Sequence, residues 1–164
     1  MQPVLLDSSI YISAFRGGDT ILARGRLGAE TTPWLSAVVL QELYAGARDR
    51  DRAVVERLER DFDQARRILV PDLGDWIQAG KVLARLAAKY GYGKIGRSRL
   101  TNDALIAMSA ARAGIRVLTA NARDFSKLAE FRAFSWQIVP LSKLGLVTPC
   151  PSLTPPADIS SRAT

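Results

Sequence analysis

At 164 residues, 48% of them apolar, the chain has the bulk for one compact domain with a buried core. Its apolar runs are too short to span a bilayer, residues 1 to 25 lack the plan of a signal peptide, and the single Cys150 excludes a disulfide framework or a zinc cluster, so a cytoplasmic protein is expected. A net charge of +7 favours an anionic partner such as nucleic acid, and the absence of histidine removes Ser-His-Asp, Cys-His and His-based nuclease chemistry, leaving carboxylates or metals for any catalysis.

The apolar run Val4, Leu5, Leu6 ends at Asp7 and predicts a buried strand over residues 2 to 7. Residues 8 to 28 have helical spacing broken by Gly17 and Gly18, which reads as two short helices. A second strand is expected at residues 33 to 36, then helices over Ala37 to Arg48 and Arg50 to Arg67, the latter with an apolar stripe of Val54, Val55, Leu58 and Phe62. Residues 68 to 70 suggest a third strand, and Asp72 caps a helix that runs to Tyr90, where Gly91 and Gly93 stop it. Residues 91 to 101 read as a basic loop carrying Lys94, Arg97 and Arg99.

From Asn102 to Ala113 the sequence predicts a helix that is apolar nearly all round and therefore central, ending at Gly114. A buried strand over Arg116 to Thr119, a short helix over Asp124 to Phe131 and a last strand over residues 136 to 139 complete the pattern. Alternating strands and helices imply an α/β fold with a parallel sheet and right-handed crossovers. The domain is expected over residues 1 to 142, followed over 143 to 164 by a tail rich in Pro, Ser and Thr that is expected to be disordered.

Four carboxylates stand out. In open parallel sheets, ligands bind beyond the carboxyl ends of the strands, and Asp7 occupies such an end, although a helix-capping role fits it too. Glu42 falls on the apolar face of its helix, a costly place for a charge unless a cation or an Arg meets it. Asp103 is expected in the first turn of the central helix, where the dipole favours its ionised form, and Asp124 starts the next helix, where an N-cap is its simplest role. Four acids in one place repel strongly unless cations bind, and hard oxygen ligands suit Mg²⁺ or Mn²⁺. A haloacid-dehalogenase-like phosphatase would need a second Asp where Ser9 stands, and a receiver domain would need a phosphoacceptor Asp absent from residues 68 to 71.

The segments VLLDSSIYI, SAVVLQELYAGA, LTNDALIAMSAARAGIRVLTANARDF and WQIVP, in this order and spacing, resemble a PIN domain, and most closely the VapC toxins of VapBC toxin-antitoxin systems. The resemblance implies a three-layer α/β/α fold with strand order 3-2-1-4-5. It places the family's acids on Asp7, Glu42, Asp103 and Asp124 as catalytic and metal-binding residues for Mg²⁺ or Mn²⁺. It further implies an endoribonuclease that hydrolyses RNA with metal-activated water, a homodimer, and inhibition by a cognate VapB-like antitoxin in a higher assembly, with no membrane involved. Thr119 and Asn121 are expected to position the fourth acid, water or phosphate, and Ser8, Arg97, Arg99 and Arg123 to meet substrate, with a solvated surface charge as the alternative for each arginine. Tyr11, Phe15 and Tyr44 are read either as a docking surface for the antitoxin or as core. The alternative for the whole protein is a PIN-fold scaffold that binds nucleic acid or a partner without cutting.

Overall fold

A computed structural model describes residues 1–17, 30–91 and 97–140, with the side chains of 16, 17, 50 and 97–99 left aside. Five strands, β1 (Gln2–Leu6), β2 (Thr31–Ser36), β3 (Ile68–Leu69), β4 (Arg116–Thr119) and β5 (Trp136–Ile138), form one sheet in the order β3-β2-β1-β4-β5. Every pairing is parallel, as the alternation of elements predicted. Among the described residues six helices flank the sheet: α1 (Ser8–Gly17), α2 (Ala37–Gly46), α3 (Asp49–Gln64), α4 (Leu73–Tyr90), α5 (Arg97–Ala113) and α6 (Ala122–Ala129).

Apolar runs dictate this arrangement. Val4, Leu5 and Leu6 of β1 and Val117 and Leu118 of β4 are all buried, as a central parallel strand covered on both faces requires. Helix α5 buries an unbroken run from Ala104 to Ala110, so it occupies the middle of its layer and packs mainly against α4. Strand β2 begins two residues earlier than expected and accommodates Pro33 internally. The N–H of Leu35 points toward β3, where it meets the Arg67 carbonyl, and position 33 faces the same side at a level that β3 does not reach, so the missing donor of Pro33 costs no ladder bond.

Several boundaries differ from the sequence reading. Helix α5 begins at Arg97, so residues 97 to 101 are helical and not loop, and Asp103 lies in the second turn, beyond the reach of the helix-end dipole invoked for it. Lys94, and the second of the two short helices expected before residue 28, lie outside the described residues, as does the tail. Helix α6 starts at Ala122 with Asn121 as its N-cap, so Asp124 is the third helical residue and not the cap. Tyr11 is 1% exposed and belongs to the core, Phe15 packs against that core, and Tyr44 at 37% exposure donates its hydroxyl hydrogen to Glu59 of α3.

An ion network ties α4 to α5. Asp75 completes a capping box with Asp72 at the start of α4 and also accepts from the Arg112 guanidinium, whose Nη2 lies 2.9 Å from Asp75 Oδ2. The sequence offered no signal for this pairing, because the two residues are 37 positions apart. No described helix is long and apolar enough to cross a membrane.

Candidate active site

The chain runs from β1 outward to β2 and β3, then resumes on the other side of β1 with β4 and β5, so the strand order reverses between β1 and β4. The carboxyl ends of these two strands form the natural ligand crevice of such a sheet. Asp7 directly follows β1, its N–H extending the ladder to the Leu118 carbonyl at 2.9 Å, and Thr119 is the last residue of β4.

Three helices bring the remaining acids to this edge. Ser36 ends β2 and caps α2 by accepting from the Val38 N–H at 3.1 Å, and that start fixes which face of α2 turns inward. Val38, Val39 and Leu43 are buried, and Glu42 sits on their margin, its Oε2 buried. Helix α5 carries Asp103, 5% exposed, at the head of its apolar run. The Asn121 cap presents Asp124 from the first turn of α6.

All four carboxylates line one cleft of about 720 Å³, together with Ser8, Ser9, Ile12, Gln41, Asn121 and Arg123. Thr119 is fully buried beneath it. Neutral donors hold Asp7, Glu42 and Asp124. Asp7 Oδ2 accepts from Ser9 Oγ at 2.7 Å and from Thr119 Oγ1 at 2.9 Å. The Asn121 amide bridges Asp124 Oδ2 at 2.9 Å and Asp103 Oδ2 at 3.5 Å, and Asn102 Nδ2 donates to Glu42 Oε1 at 2.8 Å. None of the ion pairs among the described residues includes Asp7, Glu42 or Asp124.

Of the residues expected to meet substrate, Ser8, Asn121 and the exposed Arg123 line the cleft, whereas the side chains of Arg97 and Arg99 lie outside the described residues. Two contributors were missed by sequence reasoning. Ser9, not Ser8, hydrogen-bonds Asp7 and also accepts from the Ala120 N–H, stitching the β1 end to the β4 end. Asn102 had been read only as the start of a helix. Its signal was available: an amide next to an acid on a helix otherwise apolar nearly all round.

The donor set fits a hard divalent cation. Asp7 Oδ1 and Glu42 Oε2 are buried without a hydrogen-bond partner among the described residues, and an oxygen in that state costs free energy until a proton or cation meets it. Among the described residues no three acids stand close enough to cage one ion together. Mg²⁺ needs no such cage, since one or two carboxylates, with water and substrate phosphate, complete its octahedron.

Fold and cleft together define an α/β protein with a carboxylate site at its topological switch point. Within that class, residues 4–131 match the family model of the PIN domain, and the chain belongs to the PIN-domain family, whose members are generally nucleases. Comparison with curated proteins by sequence gives no match. Solved structures share the fold. The VapBC2 complex of Rickettsia felis bound to a DNA fragment from its promoter matches with a TM-score of 0.58 at 20% identity, covering 84% of this chain and 98% of that one. A DNA-bound VapBC from Salmonella typhimurium gives 0.59 at 23% identity over 84% and 98%. VapBC-5 of Mycobacterium tuberculosis, from the VapBC family of toxin-antitoxin systems, gives 0.51 at 26% identity over 83% and 96%.

Proposed function

We propose that this PIN-domain protein is the toxin of a toxin-antitoxin pair, an endoribonuclease that works with Mg²⁺ or Mn²⁺ in the cytoplasm. The observation that carries the reading is the convergence of Asp7, Glu42, Asp103 and Asp124 on one cleft, where the described hydrogen-bond donors to Asp7, Glu42 and Asp124 are neutral. Carboxylates gathered on one cleft, with Asp7 Oδ1 and Glu42 Oε2 buried and unpartnered among the described residues, are arranged for an external cation.

Asp7 and Asp103, both buried, are the principal candidates to hold the metal, with Glu42 and Asp124 completing or orienting the set. When bound, a divalent ion supplies charge neutralisation for the phosphodiester and activates water for attack on phosphorus, so that the products carry a 5′-phosphate and a 3′-hydroxyl. The chain's own part is positional. Thr119 and Ser9 fix one oxygen of Asp7 and leave the other available, Asn121 fixes Asp103 and Asp124 relative to each other, and Arg123 at the rim is placed to hold a phosphate. Ser8 lines the same wall, and Arg97 and Arg99 at the start of α5 are proposed as further phosphate contacts. The toxin reading, with a VapB-like antitoxin as partner, is supported by structural neighbours that are VapBC complexes, and a homodimer is proposed as the toxin's own state.

The test is cleavage of single-stranded RNA and tRNA by the antitoxin-free protein in Mg²⁺ or Mn²⁺. Wild type cuts, and Asp7→Asn and Asp103→Asn lose about 100-fold or more of the rate, because each removes a charged metal ligand. A wild type that binds RNA without cutting it would establish the scaffold reading instead, and variants that cut equally well would overturn the assignment of Asp7 and Asp103 to the site. Induced expression arrests growth of the host cell in wild type and not in Asp7→Asn.

A further inference from the structure

Resting on the metal site just proposed, we infer that Asn102 is the positioning residue of Glu42, and that its amide sets which oxygen of Glu42 faces a cation. Asn102 Nδ2 lies 2.8 Å from Glu42 Oε1, while Glu42 Oε2 is buried with no hydrogen-bond partner among the described residues. The carboxylate is thus divided into an oxygen fixed by the protein and an oxygen kept for something else. Asp7 has the same division, with Oδ2 holding both Ser9 and Thr119 and Oδ1 buried and unpartnered.

The chemistry of the donor matters. Lysine or arginine at position 102 would cancel the charge of Glu42 and fill its free lone pairs, whereas a neutral amide restrains the carboxylate and leaves its full charge for the ion. The same amide also approaches Gln41 Oε1 at 3.5 Å, so it grips α2 at two successive residues. Location explains how one helix can serve two ligands. Adjacent helix positions diverge by about 100°, so Asn102 reaches across to α2 while Asp103, the next residue of α5, lines the cleft. A shift of α5 relative to α2 would change the distance between Asp103 and Glu42, and the Asn102 contact between the two helices opposes that shift.

Calorimetric titration of the full chain with Mn²⁺ alone, with thermal melts of the same metal-free samples, tests this. Asn102→Ala and the near-isosteric Asn102→Leu are expected to weaken Mn²⁺ binding about tenfold or more while leaving the metal-free protein folded, the loss typical of removing a group that orients a ligand. In a Glu42→Gln background the same substitutions are expected to change Mn²⁺ affinity by less than about twofold, because the residue they act through no longer ligates. Affinities within twofold of wild type, a loss that persists undiminished in the Glu42→Gln background, or failure of both variants to fold would each overturn the inference. Wild type that binds no Mn²⁺ overturns the metal site as well, whereas wild type that binds it alongside unaffected variants overturns the role of Asn102 alone.

Discussion

Thr119 and Asp7, 112 positions apart in the chain, meet in a fully buried hydrogen bond of 2.9 Å at the point where the strand order reverses. Thr119 is also the acceptor for the Asn121 N–H at 2.9 Å, so one hydroxyl orients the acid after β1 and the turn that leads to Asp124. Replacing it with valine keeps the branched shape but not the hydroxyl, and so removes both functions. We expect Thr119→Val to cost about 1 to 2 kcal/mol of stability, the usual consequence of unpairing a buried N–H, and to lower kcat about tenfold or more with a smaller effect on KM. Thr119→Ser, which restores the hydroxyl, recovers most of kcat. A Thr119→Val enzyme with unaltered kcat would show that Asp7 needs no support from β4.

Metal binding should be visible as stability, independently of any substrate. Acids brought together on one cleft destabilise the metal-free fold by mutual repulsion, and an ion that binds only the folded state stabilises it by mass action. At 100-fold excess over Kd the gain is about 2.7 kcal/mol, which for a domain of this size is a rise in Tm of roughly 5 to 10 °C. Asp7→Asn should abolish the rise on adding Mn²⁺ and leave the metal-free Tm no lower than that of wild type, since the amide oxygen still accepts from Ser9 and Thr119 while one negative charge is gone. Scanning calorimetry with and without Mn²⁺ decides it. A Tm that falls in the variant without metal would mean the charge of Asp7 is compensated in the folded chain.

How the four acids could be read from sequence differs from residue to residue. Asp7 was legible because a strand end after a buried run is a recognisable position, and Glu42 because a charge on an apolar stripe violates the helix pattern. Asp103 was placed correctly in the fold for the wrong local reason, since the charged segment before it disguised the first turn of α5 as loop. Asp124 was identified by family resemblance, and the capping role its position suggested belongs to Asn121. The sheet order also came from the resemblance, because periodicity finds strands but not which strands are neighbours. Hardest to read were the neutral donors: Ser9, whose contacts lie across a turn and at the end of β4, and Asn102, whose place beside an acid is the one local sign of a contact with α2 far away in the chain. Side chains of that kind carry no periodic signature.

Arg123 stands exposed at the mouth of the cleft beside Asp124, and none of the described ion pairs includes it. A guanidinium in that setting meets a phosphate without reading the base. Arg123→Ala should weaken binding of all single-stranded RNAs by similar factors and flatten the plot of log affinity against log salt by about 0.7, the contribution of one phosphate contact on a single strand. Binding isotherms at several salt concentrations, made with Asp103→Asn so that RNA is not consumed, give the slope. An unchanged slope would remove Arg123 from the RNA path.

The Asp75 and Arg112 pair supplies the control that separates scaffold from site. Asp75 is 3% exposed and accepts from Arg112 through both Nε and Nη2, while the guanidinium also reaches the Val70 carbonyl at 3.2 Å. Arg112→Ala therefore leaves a buried carboxylate with its backbone capping donor from Asp72 but no counter-charge. Breaking such a pair from one side costs about 3 to 5 kcal/mol when both groups are buried, and since Arg112 is partly exposed we expect a loss of about 2 kcal/mol. Adding Asp75→Asn to Arg112→Ala should return part of that loss, because the amide no longer carries an unbalanced charge into the interior. Urea unfolding of the two variants measures both terms. Rate per folded molecule on RNA should stay at the wild-type value, because the pair joins α4 to α5 at the end of α5 opposite to Asp103, and a large fall in that rate would mean that strain on α5 is transmitted along the helix to the cleft.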